Sequence, residues 1–167
     1  PDRDVWMQSA AFLQKAVTDS VIHEALLDLP EEIYALSGQE IESKIKSRRK
    51  DLLEYADEYY HYLSEAVDVV GTDERDFFKV KRLENGNCDV TVFAMSDKKG
   101  KIKEQIYHRE FKQDETKEIR LYGLKGEDRF EVEGSASKAI KVRLIGGKNN
   151  DEFIDTSVVH GISKTVF

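Results

Sequence analysis

The sequence has almost no cysteine and no excess of positive charge. Its 167 residues include one cysteine, Cys88. A single cysteine excludes an intramolecular disulfide and a zinc site built from several cysteines. The formal net charge is −7, so the chain lacks the broad basic field with which proteins bind nucleic acid. We therefore expect no nucleic-acid partner.

Long apolar runs are also missing. No run approaches the roughly 20 residues that cross a bilayer as a helix, and no signal peptide is present. We expect no direct membrane insertion by this chain. The first residue is Pro1 rather than methionine, which indicates a piece excised from a longer protein. The compartment therefore cannot be inferred from the missing targeting segment.

The first part of the chain has the apolar period of amphipathic helices, with apolar residues at intervals of three and four. Thr18 predicts a new helix N-terminus, and Pro30 predicts a helix end. Residues 37–40, Ser-Gly-Gln-Glu, fit a capping box, which predicts a long helix from there to about Ala66. These features define a helical segment over residues 1–70.

The second part, residues 71–167, has the pattern of short β-strands separated by turn residues. Residues 77–83, 88–95 and 102–111 predict three strands, and Asn-Gly between the first two is a strong hairpin signal. A second turn is predicted at residues 97–100. These strands form an antiparallel meander, and a last strand is expected within residues 157–167.

A repeated pattern occupies residues 118–155. Each copy has an apolar residue, Arg, Leu, an apolar residue and Gly, then a turn, an Asp, and a Phe two residues after the Asp. The two copies run from Ile119 to Phe130 and from Val142 to Phe153. We expect two solenoid-like β-coils whose equivalent residues stack in space, with each Phe buried and each Asp at a turn. The equivalent pairs are Arg120 and Arg143, Asp128 and Asp151, and Phe130 and Phe153.

The repeat resembles the glycine- and aspartate-rich repeat of calcium-binding β-rolls. Glycine turns expose carbonyl oxygens, and calcium takes six to eight oxygen ligands. The candidate ligands are Asp128 and Asp151. Both copies depart from that repeat, because Leu124 and Asn149 stand where it has glycine and a spacer separates the copies. The alternative is that both carboxylates accept hydrogen bonds from turn amides.

No other group of residues has the spacing of a catalytic or metal site. The histidines, His23, His61, His108 and His160, do not form a metal-ligand motif. Ser135 and Lys138 match Ser-x-x-Lys but lack the companion motifs of that chemistry. We name no catalytic residue.

Four sequence segments together resemble a known family. They are residues 29–38, 65–73, 116–124 and 142–147. They are similar to an internal region of large surface-antigen-type outer-membrane proteins of Gram-negative bacteria. Some of these proteins have an upstream calcineurin-like metallophosphoesterase domain and a downstream membrane β-barrel. The resemblance implies a position on the periplasmic or cell-surface side of the outer membrane, with other domains of a larger parent protein as partners. It carries over no functional residues, because the phosphoesterase metal motifs are absent from this sequence.

These observations predict an α+β fold, with a helical segment followed by a β-rich half that contains the meander and the two repeated coils. The expected function is a non-catalytic structural or interaction module of a larger cell-envelope protein. One alternative is a calcium-dependent, β-roll-like binding module. Another is an accessory part of a metallophosphoesterase or other hydrolase. No cofactor other than calcium is implied, and the sequence does not indicate an oligomeric state.

Overall fold

The fold is α+β, as predicted. A computed structural model describes residues 2–96, 100–161 and 164–167. The chain divides into two compact units, residues 1–62 and residues 63–167. None of the described helices is both long enough and apolar enough to cross a membrane.

The first unit is helical. Its elements are α1 (Arg3–Ala16), α2 (Asp19–Leu27), α3 (Glu31–Ile33), a π-helix (Tyr34–Gly38), α4 (Gln39–Lys50) and α5 (Leu52–Ser64), the last of which runs across the unit boundary. The indole of Trp6 donates a hydrogen bond to the carbonyl of Ala56 at 2.7 Å. The side chain of Gln14 donates to the carbonyl of Arg49 at 2.9 Å. These bonds fix α1 along α4 and α5, in antiparallel order.

The helix ends confirm one prediction and correct two. Thr18 caps α2, and its hydroxyl oxygen accepts a hydrogen bond from the backbone amide of Val21 at 3.2 Å. The prediction of a capping box at residues 37–40 is wrong. The hydroxyl of Ser37 donates a hydrogen bond to the carbonyl of Ile33, and the helical backbone continues through Ser37 into α4. The predicted single helix to Ala66 is interrupted at Asp51, whose backbone leaves the helical region (φ −94°, ψ 5°).

The second unit contains ten strands within the described residues. They are β1 (Ala66–Val70), β2 (Asp76–Arg82), β3 (Cys88–Met95), β4 (Ile102–Phe111), β5 (Glu118–Leu124), β6 (Arg129–Ala136), β7 (Lys141–Gly147), β8 (Glu152–Asp155), β9 (Val158–Val159) and β10 (Thr165–Val166). Strand β1 lies just before the segment boundary that was predicted at residue 70. A helix end and a join were predicted where β1 lies.

The strands form two sheets. One has the order β1-β5-β7-β10, and all of its pairs are parallel. The other has the order β4-β3-β2-β6-β8, in which β2, β6 and β8 are parallel neighbours and β9 also pairs with β6. The chain passes from the first sheet to the second three times, between β1 and β2, β5 and β6, and β7 and β8. The core lies between the two sheets and consists of apolar side chains from both: Val69, Phe78, Val80, Cys88, Val90, Val92, Phe111, Ile119, Leu121, Phe130, Val132, Ile140, Val142 and Leu144.

The predicted meander is confirmed, since β2 pairs with β3 and β3 with β4, both antiparallel. In its first turn Gly86 adopts a positive φ of 92°, and the amide of Leu83 donates to the carbonyl of Asn87 at 2.9 Å. Three residues of the second predicted turn, 97–99, lie outside the described residues. The last strand predicted within residues 157–167 is present as two short strands, β9 and β10.

The repeated pattern is in register. Arg120 pairs with Arg143 in neighbouring parallel strands, and Phe130 pairs with Phe153. The rings of Phe130 and Phe153 are stacked, with centroids 5.1 Å apart. Phe130 is fully buried, but Phe153 is 38% exposed, which corrects the prediction that both are buried. No closed solenoid is found in the described part of the chain, so the solenoid-like coils stay a prediction.

Candidate functional site

The two predicted aspartates occupy equivalent turns between the sheets. Asp128 lies between β5 and β6, and Asp151 lies between β7 and β8. The Oδ1 atom of Asp151 accepts a hydrogen bond from the backbone amide of Asp128 at 3.0 Å. The Oδ1 atom of Asp128 in turn accepts the backbone amide of Asp76 at 2.8 Å. The structure therefore brings both predicted residues together and adds a third, Asp76.

Asp76 belongs to a third copy of the pattern, which we did not recognise in the sequence. In all three copies the Asp follows a glycine by five residues and precedes a phenylalanine by two. We call these copies the Gly-Asp-Phe turns: turn 1 is residues 71–78, turn 2 is residues 123–130 and turn 3 is residues 146–153. The signal was present in the spacing of Gly71, Asp76 and Phe78. It was missed because turn 1 has Asp68 where the other copies have Arg, and because the meander separates it from turn 2.

Glycine is required in these turns by the close approach of the aspartate. An ideal Cβ on Gly123 would lie 2.2 Å from Oδ2 of Asp128, and one on Gly146 would lie 2.1 Å from Oδ2 of Asp151. A Cβ on Gly71 would lie 2.6 Å from Oδ2 of Asp76. No side chain can be placed at these distances without displacing the carboxylate. The glycine and the aspartate of each turn are thus parts of one packing unit.

The carboxylates of turns 1 and 2 are buried and incompletely hydrogen-bonded. Asp76 is 0% exposed and Asp128 is 1% exposed. Oδ2 of Asp76 accepts the amide and the hydroxyl of Thr72, at 2.5 and 2.9 Å. Oδ1 of Asp76 and Oδ2 of Asp128 have no hydrogen-bond partner among the described residues. A buried polar oxygen without a hydrogen-bond partner is costly, and for Asp128 this burial disfavours the charged carboxylate.

The pKa of Asp128 reflects this environment. Burial raises the pKa of Asp128 from its ordinary 3.8 to about 7. The hydrogen bond from the amide of Asp76 lowers the pKa in part, and the negative charges of Asp151 and Asp76 raise it further. The positive charge of Arg75 lowers it by a smaller amount. Asp128 therefore changes its charge near neutral pH, unlike an ordinary surface aspartate.

The matched arginines interact with acidic residues of neighbouring strands. Arg120 contacts Asp68 on β1, with Nη1 and Oδ1 3.3 Å apart, and Glu118, with Nη2 and Oε2 3.5 Å apart. Nε of Arg143 donates to Oε1 of Glu118 at 3.0 Å. Arg120 and Arg143 therefore take part in a charge ladder across three strands.

The surroundings of Cys88 and His108 indicate structural roles for both side chains. Burial raises the pKa of the Cys88 thiol to about 12, so this thiol is not a nucleophile at neutral pH. Nε2 of His108 lies 2.7 Å from Oδ2 of Asp89 at the protein surface. Within the described residues, no group of three or more histidine, cysteine, aspartate or glutamate side chains has the geometry of a metal site.

Comparison with known proteins gave no matching family model, no matching curated protein and no matching solved structure.

Proposed function

We propose that this chain is a non-catalytic structural and interaction module of a larger cell-envelope protein. The observation that carries this proposal is the use of the Asp128 and Asp151 carboxylates as acceptors for backbone amides of the preceding turn. Acidic residues that would be the first candidates for chemistry therefore hold neighbouring turns together. The Cys88 thiol is buried in the core, and His108 lies against Asp89 at the surface.

We propose further that the three Gly-Asp-Phe turns are consecutive solenoid-like β-coils. Residues of turns 1 and 2 that contact each other are 52 positions apart, and those of turns 2 and 3 are 23 positions apart. The larger separation is explained by the meander strands β3 and β4, which lie between turn 1 and turn 2 in the chain. In such a stack each coil contacts only its neighbours, which suits a spacer or a binding surface.

A turnover screen tests the absence of catalysis. The chain is incubated with phosphatase and esterase substrates, with and without divalent metal ions, and the variant Asp128→Asn serves as the matched control. We expect background rates for both proteins. A rate well above background that is lost in Asp128→Asn would contradict the proposal and favour the alternative of a hydrolase or an accessory part of one.

A calcium-dependent module is the second candidate, because Oδ2 of Asp128 has no hydrogen-bond partner in the part of the chain that the structure describes, and a second carboxylate lies in the next turn. Against the calcium module, the Oδ1 atoms of Asp128 and Asp151 each already accept a hydrogen bond from a backbone amide. Thermal unfolding at millimolar calcium, with magnesium as the control, separates the two candidates, since a ligand that binds the folded state raises the Tm. We expect no calcium-specific rise. A rise that disappears in Asp151→Asn would favour the calcium module.

The location on the periplasmic or cell-surface side of the outer membrane rests on the family resemblance. The partners proposed on the same ground are other domains of a larger parent protein. An antibody raised against this chain tests both points in fractionated cells of the source organism. We expect it to detect a larger protein in the outer-membrane fraction. Detection only in the cytosolic fraction would contradict the proposed location.

A further inference from the structure

A groove runs between α1 and α5 in the helical unit. It has a volume of about 460 Å³ and is lined by four residues of each helix. Those of α1 are Trp6, Ser9, Ala10 and Leu13, and those of α5 are Leu52, Tyr55, Ala56 and Tyr59. Within each set the residues stand at positions i, i+3, i+4 and i+7, which is the spacing of one helical face. The groove is therefore formed by two helical faces that lie side by side.

The aromatic wall of the groove is held in place by contacts within the helical unit. The indole of Trp6 donates a hydrogen bond to the carbonyl of Ala56 at 2.7 Å. The rings of Trp6 and Tyr59 lie 6.0 Å apart with an angle of 44° between their planes. The small residues Ala10 and Ala56 leave room between the larger side chains. The groove is thus formed before any ligand binds, which lowers the entropic cost of binding.

Apolar side chains are exposed along both helices. On α1, Phe12 is 71% exposed and Leu13 is 51% exposed. On α5, Tyr55 and Tyr59 are each 53% exposed, and Tyr62, whose ring stacks on Tyr59 at 6.3 Å, is 74% exposed. Apolar surface of this extent marks an interaction site. Because it follows two adjacent helices over about two turns, it suits an incoming helix better than a small compact ligand.

The charge beside the groove is negative. Helix α5 carries Glu54, Asp57 and Glu58 and has no lysine or arginine. The guanidinium of Arg3 on α1 pairs with Asp57 at 2.8 Å. Glu58 is exposed and follows Tyr55 by three residues, so it borders the groove on the α5 side. Symmetric packing of α5 on a second copy would bring like charges together, whereas a basic helix would bring opposite charges.

We propose that the groove between α1 and α5 binds an amphipathic helix of a partner protein. That helix carries apolar residues at positions i, i+3, i+4 and i+7, with lysine or arginine residues beside them. Its apolar side chains fill the space over Ala10 and Ala56, and its basic residues face Glu58. The contact completes a packing of three helices. This inference rests on the proposed function as an interaction module and names the chemistry of the partner.

A synthetic peptide of leucine and lysine tests the proposal. It has about 14 residues, long enough for several helical turns, with leucine at positions i, i+3, i+4 and i+7. The peptide has no tryptophan, so the emission of Trp6, the single tryptophan of the chain, reports on the groove. Titration of the full chain should shift this emission in a saturable way. A peptide with glutamate in place of every lysine should bind at least about fivefold more weakly.

Three protein variants locate the binding site. Leu13→Arg places a positive charge and a longer side chain in the groove and should weaken binding of the lysine peptide about tenfold or more. Leu27→Arg is the matched control, because it makes the same change at a 57% exposed leucine of α2 that does not line the groove. It should leave binding unchanged. Glu58→Gln should weaken binding about twofold to fivefold. Circular dichroism checks that all three variants are folded.

Four results would overturn the proposal. They are no saturable binding at millimolar lysine peptide, equal binding of the glutamate peptide, binding that does not change the emission of Trp6, and equal weakening by Leu13→Arg and Leu27→Arg. Two further measurements identify other occupants. A Trp6 that acrylamide does not quench in the free chain would show that another part of this chain covers the groove. A dimer in sedimentation that Leu13→Arg dissociates would make a second copy the occupant. Either result would also contradict the proposal.

The enzymatic screen separates this inference from the proposed function. Turnover in that screen would contradict the proposed function and leave the peptide result unaffected. Failed peptide binding with background turnover would remove only the assignment of the groove.

Discussion

The carboxylate of Asp128 accepts the backbone amide of Asp76 at 2.8 Å, although the two residues are 52 positions apart. This bond joins turn 1 to turn 2 across the inserted meander. Both residues are buried, so water does not replace the bond if either partner is lost. The stability of the β-rich unit should therefore depend on a few polar side chains as well as on its apolar core.

The pH dependence of stability should reveal Asp128. The pKa of its folded form is about 7 and its ordinary value is 3.8. Between these values the folded state holds more protons than the unfolded state, so the contribution to stability is full below pH 4 and declines as the pH rises to 7. The difference in unfolding free energy between the native chain and Asp128→Asn should fall by roughly 2–4 kcal/mol over this range. Urea denaturation at a series of pH values measures it, and a constant difference would contradict the assignment.

Removing the turn carboxylates should destabilise the β-rich unit. Asp128→Ala and Asp151→Ala each leave a backbone amide without its acceptor, which should cost about 1–3 kcal/mol. Asp114→Ala, at an exposed turn residue, is the matched control and should change stability by less than about 0.5 kcal/mol. Denaturation followed by far-UV circular dichroism compares the three variants. Equal stability of all three would show that the aspartates do not support the turns.

Alanine at Gly123 should be destabilising for a steric reason. Its Cβ would lie 2.2 Å from Oδ2 of Asp128 and 2.6 Å from the carbonyl oxygen of Gly146. Overpacking of this kind costs about 1–3 kcal/mol. The double variant with Asp128→Ala should lose less than the sum of the two single losses, because the first contact is then absent. Simple additivity in denaturant titrations would argue against the close packing of glycine and aspartate.

The phenylalanine stack should show a graded loss of stability. Phe130→Ala removes a fully buried ring between two others and should cost about 3–5 kcal/mol. Phe153→Ala should cost less, roughly 1–3 kcal/mol, since its ring is 38% exposed. Circular dichroism follows the whole chain, while fluorescence of the single tryptophan, Trp6, reports on the helical unit. A larger loss at Phe153 than at Phe130 would contradict the order of burial.

Local patterns predicted the secondary structure well where a strong signal was present. The cap at Thr18 and the turn at Gly86 depend on a few adjacent residues, and both predictions are confirmed. The predicted cap at Ser37 failed because its hydroxyl bonds to the preceding helical turn instead. Strand β1 was missed because its five residues directly follow a helix, and its pairing with β5 lies 52 positions away. Such pairing is decided by contacts that no local window contains.

The sequence by itself determined the α+β composition, the meander, and the in-register repeat with its glycine, aspartate and phenylalanine. These follow from side-chain periodicity and turn chemistry, which act over a few residues. Only the tertiary structure decided that Asp76 joins the ladder, that Asp128 is buried with a raised pKa, and that Phe153 is partly exposed at a sheet edge. Burial and electrostatic environment depend on which distant segments pack together.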